Sequence, residues 1–285
     1  MRTFFLPDQG KAGVLTIAHR GARSMAPENT LKAIQKAHEV GADMCEVDVR
    51  LTADDVPVLI HDKVLERVSN IRDLPGFRHR RSWAVGSMTL HELHCLDCGS
   101  WFLHQDPFRC IRAGKLSAED ESSYKGLALA TLEQALELIK CHGWMLNIEV
   151  KDVGSKRNQV LVDRVCTMVK EMGLVRQVLI SSLRFETLEA VRNKGSEFNL
   201  AFVDSVVHPQ VLRRLQSIQA TAYHPKHTLI RPDLIRSCRN QGIAVNVWTV
   251  NRMTDVRLLQ AMGVDGIITD VPQRMHSLRV VPAAV

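Results

Sequence analysis

After residue 128 the chain alternates helix-like stretches with short apolar runs, a pattern that few folds can accommodate. The runs that we predict as strands are Met145–Val150, Val178–Ser181, Asn199–Val203, Ala220–Tyr223, Ile243–Trp248 and Gly266–Thr269. Strands that are separated each time by a helix are typical of a parallel sheet with helices packed on it. Val14–His19 and Met44–Leu51 bring the number of strands to eight, the count of a closed (β/α)8 TIM barrel.

Two segments interrupt this alternation. Val56–Ile60 is a short extended run that follows Met44–Leu51 after only the turn Thr52–Asp55, whereas a parallel crossover needs about a dozen residues. It therefore either folds back beside the second strand or replaces part of a shortened unit. Residues 63–128 contain several glycines, a basic run and an acidic patch, and a structureless loop of that length is uncommon inside a domain. We predict one domain over residues 1–285, with 63–128 as an inserted subdomain near the mouth of the barrel.

Composition limits the partners and the location. The net charge of +6 suits anionic substrates, but the basic run Arg78–Arg81 has almost no interleaved aromatic residues, so we expect no nucleic-acid partner. No run approaches the roughly 20 apolar residues that cross a bilayer, and residues 1–13 have the features of neither a secretory signal nor a membrane anchor. Seven scattered cysteines favour reduced thiols and a cytoplasmic location. The oligomeric state stays open, a homo-oligomer included.

Three carboxylates occur near the ends of predicted strands. Glu46 and Asp48 are two residues apart on the second strand, so both side chains point to the same face. Buried carboxylates are costly unless a cation compensates them, and oxygen ligands suit Mg²⁺ or Ca²⁺. Glu149, at the end of the next barrel strand, adds a third ligand. Two structural alternatives stay open, in which Arg50 neutralises the first two acids or Glu149 forms a surface ion pair with Lys151.

Two histidines and two cationic residues accompany these acids. His19 ends the first predicted strand and His61 follows the short extended run. An imidazole takes or gives a proton near neutral pH, and phosphodiester hydrolysis needs both a base and an acid. Arg20 and Lys151 offer positive charge for a phosphate. Trp248 is either a packing residue or a surface for an apolar or polyol part of a substrate. The sequence therefore predicts one metal-dependent site that cleaves phosphodiesters.

Taken together, the motifs resemble those of the glycerophosphodiester phosphodiesterases over most of the chain. The segments that carry this resemblance are His19-Arg20-Gly21, Pro27-Glu28-Asn29-Thr30, Glu46-Val47-Asp48-Val49, Pro57–Asp62, Leu96–Trp101, Asn147-Ile148-Glu149-Val150-Lys151, Ser181-Ser182, Val247–Asn251 and Gly266–Asp270. The resemblance implies a (β/α)8 barrel with a small insertion that hydrolyses glycerophosphodiesters to an alcohol and sn-glycerol 3-phosphate. It gives the three carboxylates the role of metal ligands and the two histidines those of acid and base, while Arg20 and Lys151 would hold the phosphate.

Three departures from the family pattern concern the substrate entrance. Leu183 stands where an aromatic residue usually follows the paired serines, and Ala130 stands where a proline is usual. The segment between Phe102 and Leu127 is also longer than in short bacterial members. Two other functions remain open: a lysophospholipase D-type hydrolase on the same barrel, which would favour an apolar entrance, and a non-catalytic binding barrel.

Overall fold

Eight parallel strands close into a barrel in the computed structural model, which describes residues 14–206 and 208–278. The strands are β1 Leu15–Ala18, β2 Met44–Leu51, β3 Pro57–Leu59, β4 Met145–Val150, β5 Val178–Ser182, β6 Asn199–Asp204, β7 Ala222–Pro225, β8 Ala244–Val247 and β9 Gly266–Thr269. β1 pairs in parallel with β9 on one side and with β2 on the other, so the ring has no open edge between the first and last strands. The predicted (β/α)8 TIM barrel is confirmed.

Helices cover the outside of the barrel. A large apolar core lies between these helices and the strands. The helices are α1 Leu31–Glu39, α5 Leu132–His142, α6 Ser155–Glu171, α7 Phe185–Arg192, α8 Val211–Ser217, α9 Pro232–Asn240 and α10 Met253–Met262, and a 3₁₀ segment, Pro272–Leu278, follows β9. Proline suits the first turn of a helix and glycine its end, so the sequence predicts the first helix over Pro27–Val40. The predicted start is wrong, because the helix begins at Leu31. Asn29 has a φ of +57° and the hydroxyl of Thr30 accepts a hydrogen bond from the amide of Ala33, so Thr30 caps the helix and Pro27 lies in the loop before it.

β3 is the strand whose course the sequence left open. It pairs antiparallel with the last residues of β2, Val49 with Leu59 and Leu51 with Pro57, so the chain folds back beside the second strand. β1 pairs only with the first part of β2, which leaves the last part free for β3. The residues after β3 therefore return to the carboxyl-terminal rim of the barrel.

The barrel interior consists of an apolar layer below a polar one. Eight apolar side chains fill the lower layer: Ile17, Met44, Met145, Leu179, Ala201, Ala222, Ala244 and Ile268. Two residues further along five of these strands, the buried side chains are polar: Glu46, Asn147, Ser181, His224 and Asn246. Because inward positions repeat every two residues, this change from apolar to polar forms a floor near the carboxyl ends of the strands.

Residues 63–128 contain three short helices, α2 Leu90–Leu93, α3 Ser100–Gln105 and α4 Ala118–Tyr124. One apolar cluster of this segment packs on Val58 and Ile60, in and next to β3. A second packs against Ala33 of α1, and the Tyr124 hydroxyl donates a 2.9 Å hydrogen bond to the carbonyl of Met25. The segment is thus attached to the loop after β1 and to β3.

No helix among the described residues is long and apolar enough to cross a bilayer, and residues 1–13 lie outside those residues.

Candidate active site

Three carboxylates meet at the rim between β2 and β4. Glu46, Asp48 and Glu149 each offer an oxygen, and these atoms lie within 4.8 Å of one another. The strand register puts Asp48 opposite Glu149, which explains how residues a hundred positions apart come together. Within the described part of the chain this is the only group of three or more His, Cys, Asp or Glu side chains close enough to share an ion. Oxygen donors from carboxylates fit a hard divalent cation.

The protein compensates the charge of only one of these carboxylates well. Asp48 is 2.8 Å from Nζ of Lys151 and 3.2 Å from Nε of Arg20, and it accepts a 2.8 Å hydrogen bond from the Asn29 amide. Burial alone would raise the pKa of Asp48, but the charges of Lys151 and Arg20 hold it well below its ordinary value.

Glu46 and Glu149 are in the opposite situation. Burial first, and then the neighbouring carboxylates, raise the pKa of Glu46 well above its ordinary value. Burial and Asp48 also raise the pKa of Glu149, although Lys151 opposes them. Oε1 of Glu46 is buried and has no hydrogen-bond partner among the described residues. Glu46 keeps an unpartnered oxygen, and Glu149 shares the single charge of Lys151 with Asp48, so the cluster has room for a cation that would compensate it.

Neither structural alternative for these acids holds. The Arg50 side chain donates to the backbone carbonyls of His61, at 2.9 Å, and Asp152, at 3.1 Å, and the described residues include no ion pair between Arg50 and Glu46 or Asp48. Lys151 does pair with Glu149, but its side chain is only 11% exposed and it pairs with Asp48 as well. That contact is therefore part of the site and is no isolated surface pair.

The loop after β1 adopts an unusual backbone conformation. Arg20 has a φ of +58° and Gly21 a φ of +80°, and a Cβ added to Gly21 would lie 2.6 Å from the backbone of Ala33. Only glycine fits at that position. The turn directs the backbone amide of Arg20 at Oε2 of Glu46, at 2.7 Å, while its guanidinium donates to Glu28 at 2.8 Å. Arg20 therefore helps to hold two carboxylates of the site.

Each of the two predicted histidines is oriented by an aspartate. His19 Nδ1 lies 2.6 Å from Oδ1 of Asp270, whose other oxygen accepts a 2.7 Å hydrogen bond from Asn251. Burial opposes ionisation of Asp270, but its interactions with His19 and Arg23 lower its pKa to about 2, so it accepts the Nδ1 proton. The ring nitrogen left for chemistry is Nε2.

His61 has a similar arrangement with its own neighbour. Its Nδ1 lies 2.7 Å from Oδ1 of Asp62, and its carbonyl is held by Arg50. Burial, more than any charge, lowers the pKa of His61 below its ordinary value. In both histidines a carboxylate thus binds Nδ1, which is the usual way to fix an imidazole for acid–base work at Nε2.

A single cavity of about 220 Å³ brings the predicted residues together. Among the residues that line it are His19, Arg20, Glu46, His61, Glu149, Lys151, Leu183, His224, Asn147 and Trp248. Trp248 follows β8, which ends at Val247, one residue before its predicted end. The Trp248 indole donates a 2.7 Å hydrogen bond to the His224 carbonyl. The ring is thereby fixed as one wall of the cavity. Asp48 lies behind this surface and contacts it through Arg20 and Lys151.

The polar floor includes His224 and Asn246, which our sequence reasoning missed, and Asn147, which it quoted only as part of a motif. Asn147 Oδ1, His224 Nδ1 and Asn246 Oδ1 are buried and have no hydrogen-bond partner in the described part of the chain. Burial lowers the pKa of His224 to about 3, so its ring is neutral. Its Nε2 is 3.1 Å from Nδ2 of Asn246, and exchanging the amide atoms of Asn246 would still leave Nδ1 of His224 unpartnered. The signal for these residues was the two-residue period of the inward positions, which we applied only to β2 and β4.

The place of this cavity defines a class of protein. It lies at the carboxyl ends of the strands of a (β/α)8 barrel, where TIM-barrel enzymes carry their catalytic groups. Residues 19–274 match the model of the glycerophosphoryl diester phosphodiesterase family, so the chain belongs to that family and to its class of phosphodiester hydrolases.

Individual relatives agree with this. A glycerophosphodiester phosphodiesterase from Caldanaerobacter subterraneus is 31% identical, over 93% of this chain and 97% of its own length. The structure of a glycerophosphodiester phosphodiesterase from Agrobacterium tumefaciens matches with a TM-score of 0.71 and 25% identity, covering 93% of this chain and 100% of that chain. A phosphodiesterase from Oleispira antarctica, solved in complex with the product sn-glycerol-3-phosphate, has a TM-score of 0.78, 24% identity and 96% coverage of both chains. At that identity the last comparison shows the fold alone.

Proposed function

We propose that this chain hydrolyses glycerophosphodiesters to an alcohol and sn-glycerol 3-phosphate with the help of a divalent cation, Mg²⁺ or Ca²⁺. The observation that carries the proposal is the meeting of three carboxylates and two aspartate-bound histidines around one cavity. Glu46, Asp48 and Glu149 would hold the cation. When bound, it supplies Lewis acidity to a phosphoryl oxygen and neutralises charge that builds in the transition state.

The two histidines divide the proton transfers between them. One takes the proton of the nucleophile, either water or the glycerol 2-hydroxyl, and the other gives a proton to the departing alcohol. We assign the leaving-group acid to His61, because it lies on the more open side of the cavity: its side chain is 36% exposed, against 16% for His19. If the glycerol hydroxyl attacks, a cyclic phosphate forms first and water opens it in a second step. Hydrolysis in ¹⁸O-labelled water, with a search for the cyclic product, separates the two routes.

Phosphate and glycerol would bind to different walls. Arg20 and Lys151 give the cavity two positive charges next to the carboxylates, as a phosphate requires. Trp248 offers an aromatic face, and Asn147 and His224 offer unpartnered polar atoms below it. A glycerol moiety has hydroxyls that would satisfy such atoms, and an unpartnered buried polar group gains most from a ligand that can hydrogen-bond to it.

One observation favours a second candidate, a lysophospholipase D-type reaction. Leu183, where the family usually has an aromatic residue, lines the cavity and is 45% exposed, so the entrance carries an apolar side chain that an acyl chain could contact. Release of choline from lysophosphatidylcholine, with no action on glycerophosphocholine, would favour this candidate over our main proposal.

The role of the insertion, the location and the partners are further proposals. Residues 63–128 would form the side of the mouth next to His61, because Arg67 of this segment contacts Asp62. The cytoplasmic location is supported by seven cysteines that are all free thiols. The substrate is a small molecule, with no nucleic acid involved, and a homo-oligomer stays open.

The test is a panel of glycerophosphodiesters scored by coupled detection of released glycerol 3-phosphate, with Mg²⁺, Ca²⁺ or Mn²⁺ supplied. We expect EDTA to abolish turnover and added cation to restore it. His19→Ala and Glu149→Ala should each reduce turnover strongly. Full activity in either variant would sink the assignment, and no hydrolysis of any substrate would revive a barrel that only binds.

A further inference from the structure

We infer that Arg67, which belongs to the inserted segment, is a positioning residue that holds His61 in its working orientation through Asp62. The inference rests on the proposed function for the role of His61. It gives the insertion a part in the reaction, although Arg67 is not among the residues that line the cavity.

A continuous series of short contacts links Arg67 to the histidine. His61 Nδ1 is 2.7 Å from one oxygen of Asp62, and Nε of Arg67 is 2.6 Å from the other. Both oxygens of Asp62 are therefore engaged, one by the imidazole and one by the guanidinium. A carboxylate held at both oxygens cannot turn about its own axis, so the direction in which it receives the Nδ1 proton is fixed.

The other end of the Arg67 guanidinium is anchored in the protein interior. Its Nη2 donates a 2.6 Å hydrogen bond to Oε1 of Glu28, whose side chain is only 2% exposed. Arg20 and Arg23 donate to the same carboxylate, at 2.8 and 2.5 Å. The guanidinium also lies 5.9 Å from the ring centre of Trp101, in α3. Arg67 thus connects a buried anchor in the loop after β1 to the aspartate beside His61.

A comparison of the two histidines shows why such an anchor is needed. Asp270, the partner of His19, is fixed by a hydrogen bond from Asn251. The side chain of His19 is 16% exposed and that of Asp270 is 11% exposed. Asp62, the partner of His61, follows a short strand and is 25% exposed beside a histidine that is 36% exposed. Arg67 does for Asp62 what Asn251 does for Asp270, since each binds the aspartate oxygen that the histidine leaves free.

Loss of Arg67 should therefore weaken the orientation of His61 while the residues that line the cavity stay the same. Asp62 would be free to rotate, and the imidazole of His61 would no longer be held with its proton on Nδ1. A group that must deliver a proton in one direction then does so less often, while the binding of substrate changes little.

The experiment compares Arg67→Gln with Arg72→Gln. Arg72 is a matched control five residues on, because it also bonds to a carboxylate, that of Glu66, and lies over an aromatic ring, that of Trp83, but far out on the surface of the insertion. We expect Arg67→Gln to lower kcat about 10- to 100-fold with KM within about twofold, as for other residues that orient a catalytic group. Arg67→Lys should give an intermediate kcat, because an ammonium ion cannot bridge two carboxylates as a planar guanidinium does. Arg72→Gln should match the wild type.

A second readout does not depend on turnover. The ¹⁵N signals of the His61 ring, assigned with His61→Gln and recorded where the ring is neutral, should show one tautomer with the proton on Nδ1 in the wild type. In Arg67→Gln they should show a mixture, and in Arg72→Gln the single tautomer. Asp62→Asn combined with Arg67→Gln should lower kcat no further than the stronger of the two single changes, because both act through the same contact.

The outcomes separate this inference from the proposed function. If the wild type is active, and Arg67→Gln keeps both its kcat and the single tautomer, Arg67 has no positioning role although the proposed function stands. A rise in KM alone, or effects on kcat that simply add in the double variant, would also overturn the positioning role of Arg67. If the wild type hydrolyses no substrate, the proposed function fails, and the ring spectrum alone decides whether Arg67 orients His61.

Discussion

The backbone amide of Ile60 donates a 3.0 Å hydrogen bond to the carbonyl of Asp48. This contact continues the antiparallel pairing of β3 with β2 by one more residue, and it places His61 beside the strand that carries two of the three carboxylates. A parallel β3 would have directed His61 away from the rim. The reversal at Thr52–Asp55 is thus the local feature that brings His61 to the carboxylate cluster.

Metal binding can be tested through stability without any substrate. A cation present at 100 times its Kd should stabilise the wild type by about 2.7 kcal/mol, which corresponds to a Tm rise of about 4 to 5 °C for a chain of this size. Glu46→Gln should abolish the rise with Mg²⁺ or Ca²⁺. In EDTA the same variant should melt at or above the wild-type temperature, because it removes a buried carboxylate whose pKa is raised by burial and by Asp48.

The matched control for this prediction is Glu186→Gln. Glu186 is an acid outside the barrel interior that is paired at 3.5 Å with Arg184, so the variant should keep the full response to the cation. Equal cation responses in Glu46→Gln and the wild type, measured by differential scanning calorimetry, would contradict the assignment of Glu46 to the metal.

Asp270→Asn should disturb the orientation of His19 and leave the binding of substrate nearly unchanged. An amide in place of the carboxylate lacks the negative charge and, after rotation, offers a donor where His19 Nδ1 needs an acceptor. We expect kcat to fall about 100-fold or more, as when the aspartate of a catalytic histidine is replaced elsewhere, with little change in KM. Asp255→Asn, at a half-buried acid in the first turn of α10, is the control, and steady-state kinetics on both variants is the measurement.

The sequence identified site residues that stand at or next to strand ends, Glu149 and Trp248 included, and missed partners that reach them only when the barrel closes. The two-residue period of β2 correctly put Glu46 and Asp48 on one face, since that parity is a local property of a strand. Asp270 lies 251 positions from His19, and their contact exists only because β9 pairs with β1 when the barrel closes. No periodic pattern in the sequence marks Arg67, because its two partners, Glu28 and Asp62, belong to other segments of the chain. The start of α1 was misjudged because the left-handed backbone of Asn29 overrides the preference of proline for a first turn.

Glu28 should make the stability of the fold sensitive to acid. Burial would raise its pKa, but the hydrogen bond from Arg67 and the charges of Arg20 and Arg23 lower it to about 2, below the value of about 4.3 expected in the unfolded chain. A lowered folded-state pKa contributes stability that is present above about pH 4.3 and is lost as the pH falls toward 2. The contribution is about 3 kcal/mol at neutral pH.

Urea unfolding between pH 5 and 2 measures this contribution. Glu28→Gln should be less stable than the wild type at pH 7, because it leaves three arginines facing a neutral amide. Its free energy of unfolding should nevertheless fall less steeply with acid, so the two proteins should converge near pH 2. Parallel curves over that range would show that Glu28 is not the group that titrates.

The polar floor of the barrel offers the most direct test of how the enzyme recognises glycerol. Asn147→Leu replaces a side chain whose Oδ1 has no hydrogen-bond partner among the described residues, so it should leave the Tm unchanged or raise it. It should nevertheless lower kcat/KM for glycerophosphocholine about 10- to 100-fold, the usual cost of losing a hydrogen bond to a substrate hydroxyl. Bis(p-nitrophenyl) phosphate, a diester without glycerol, serves as the control substrate, and its kcat/KM should change less than about twofold. Equal losses on both substrates would mean that Asn147 supports the carboxylates rather than the glycerol, because it lies on β4 just two residues before Glu149.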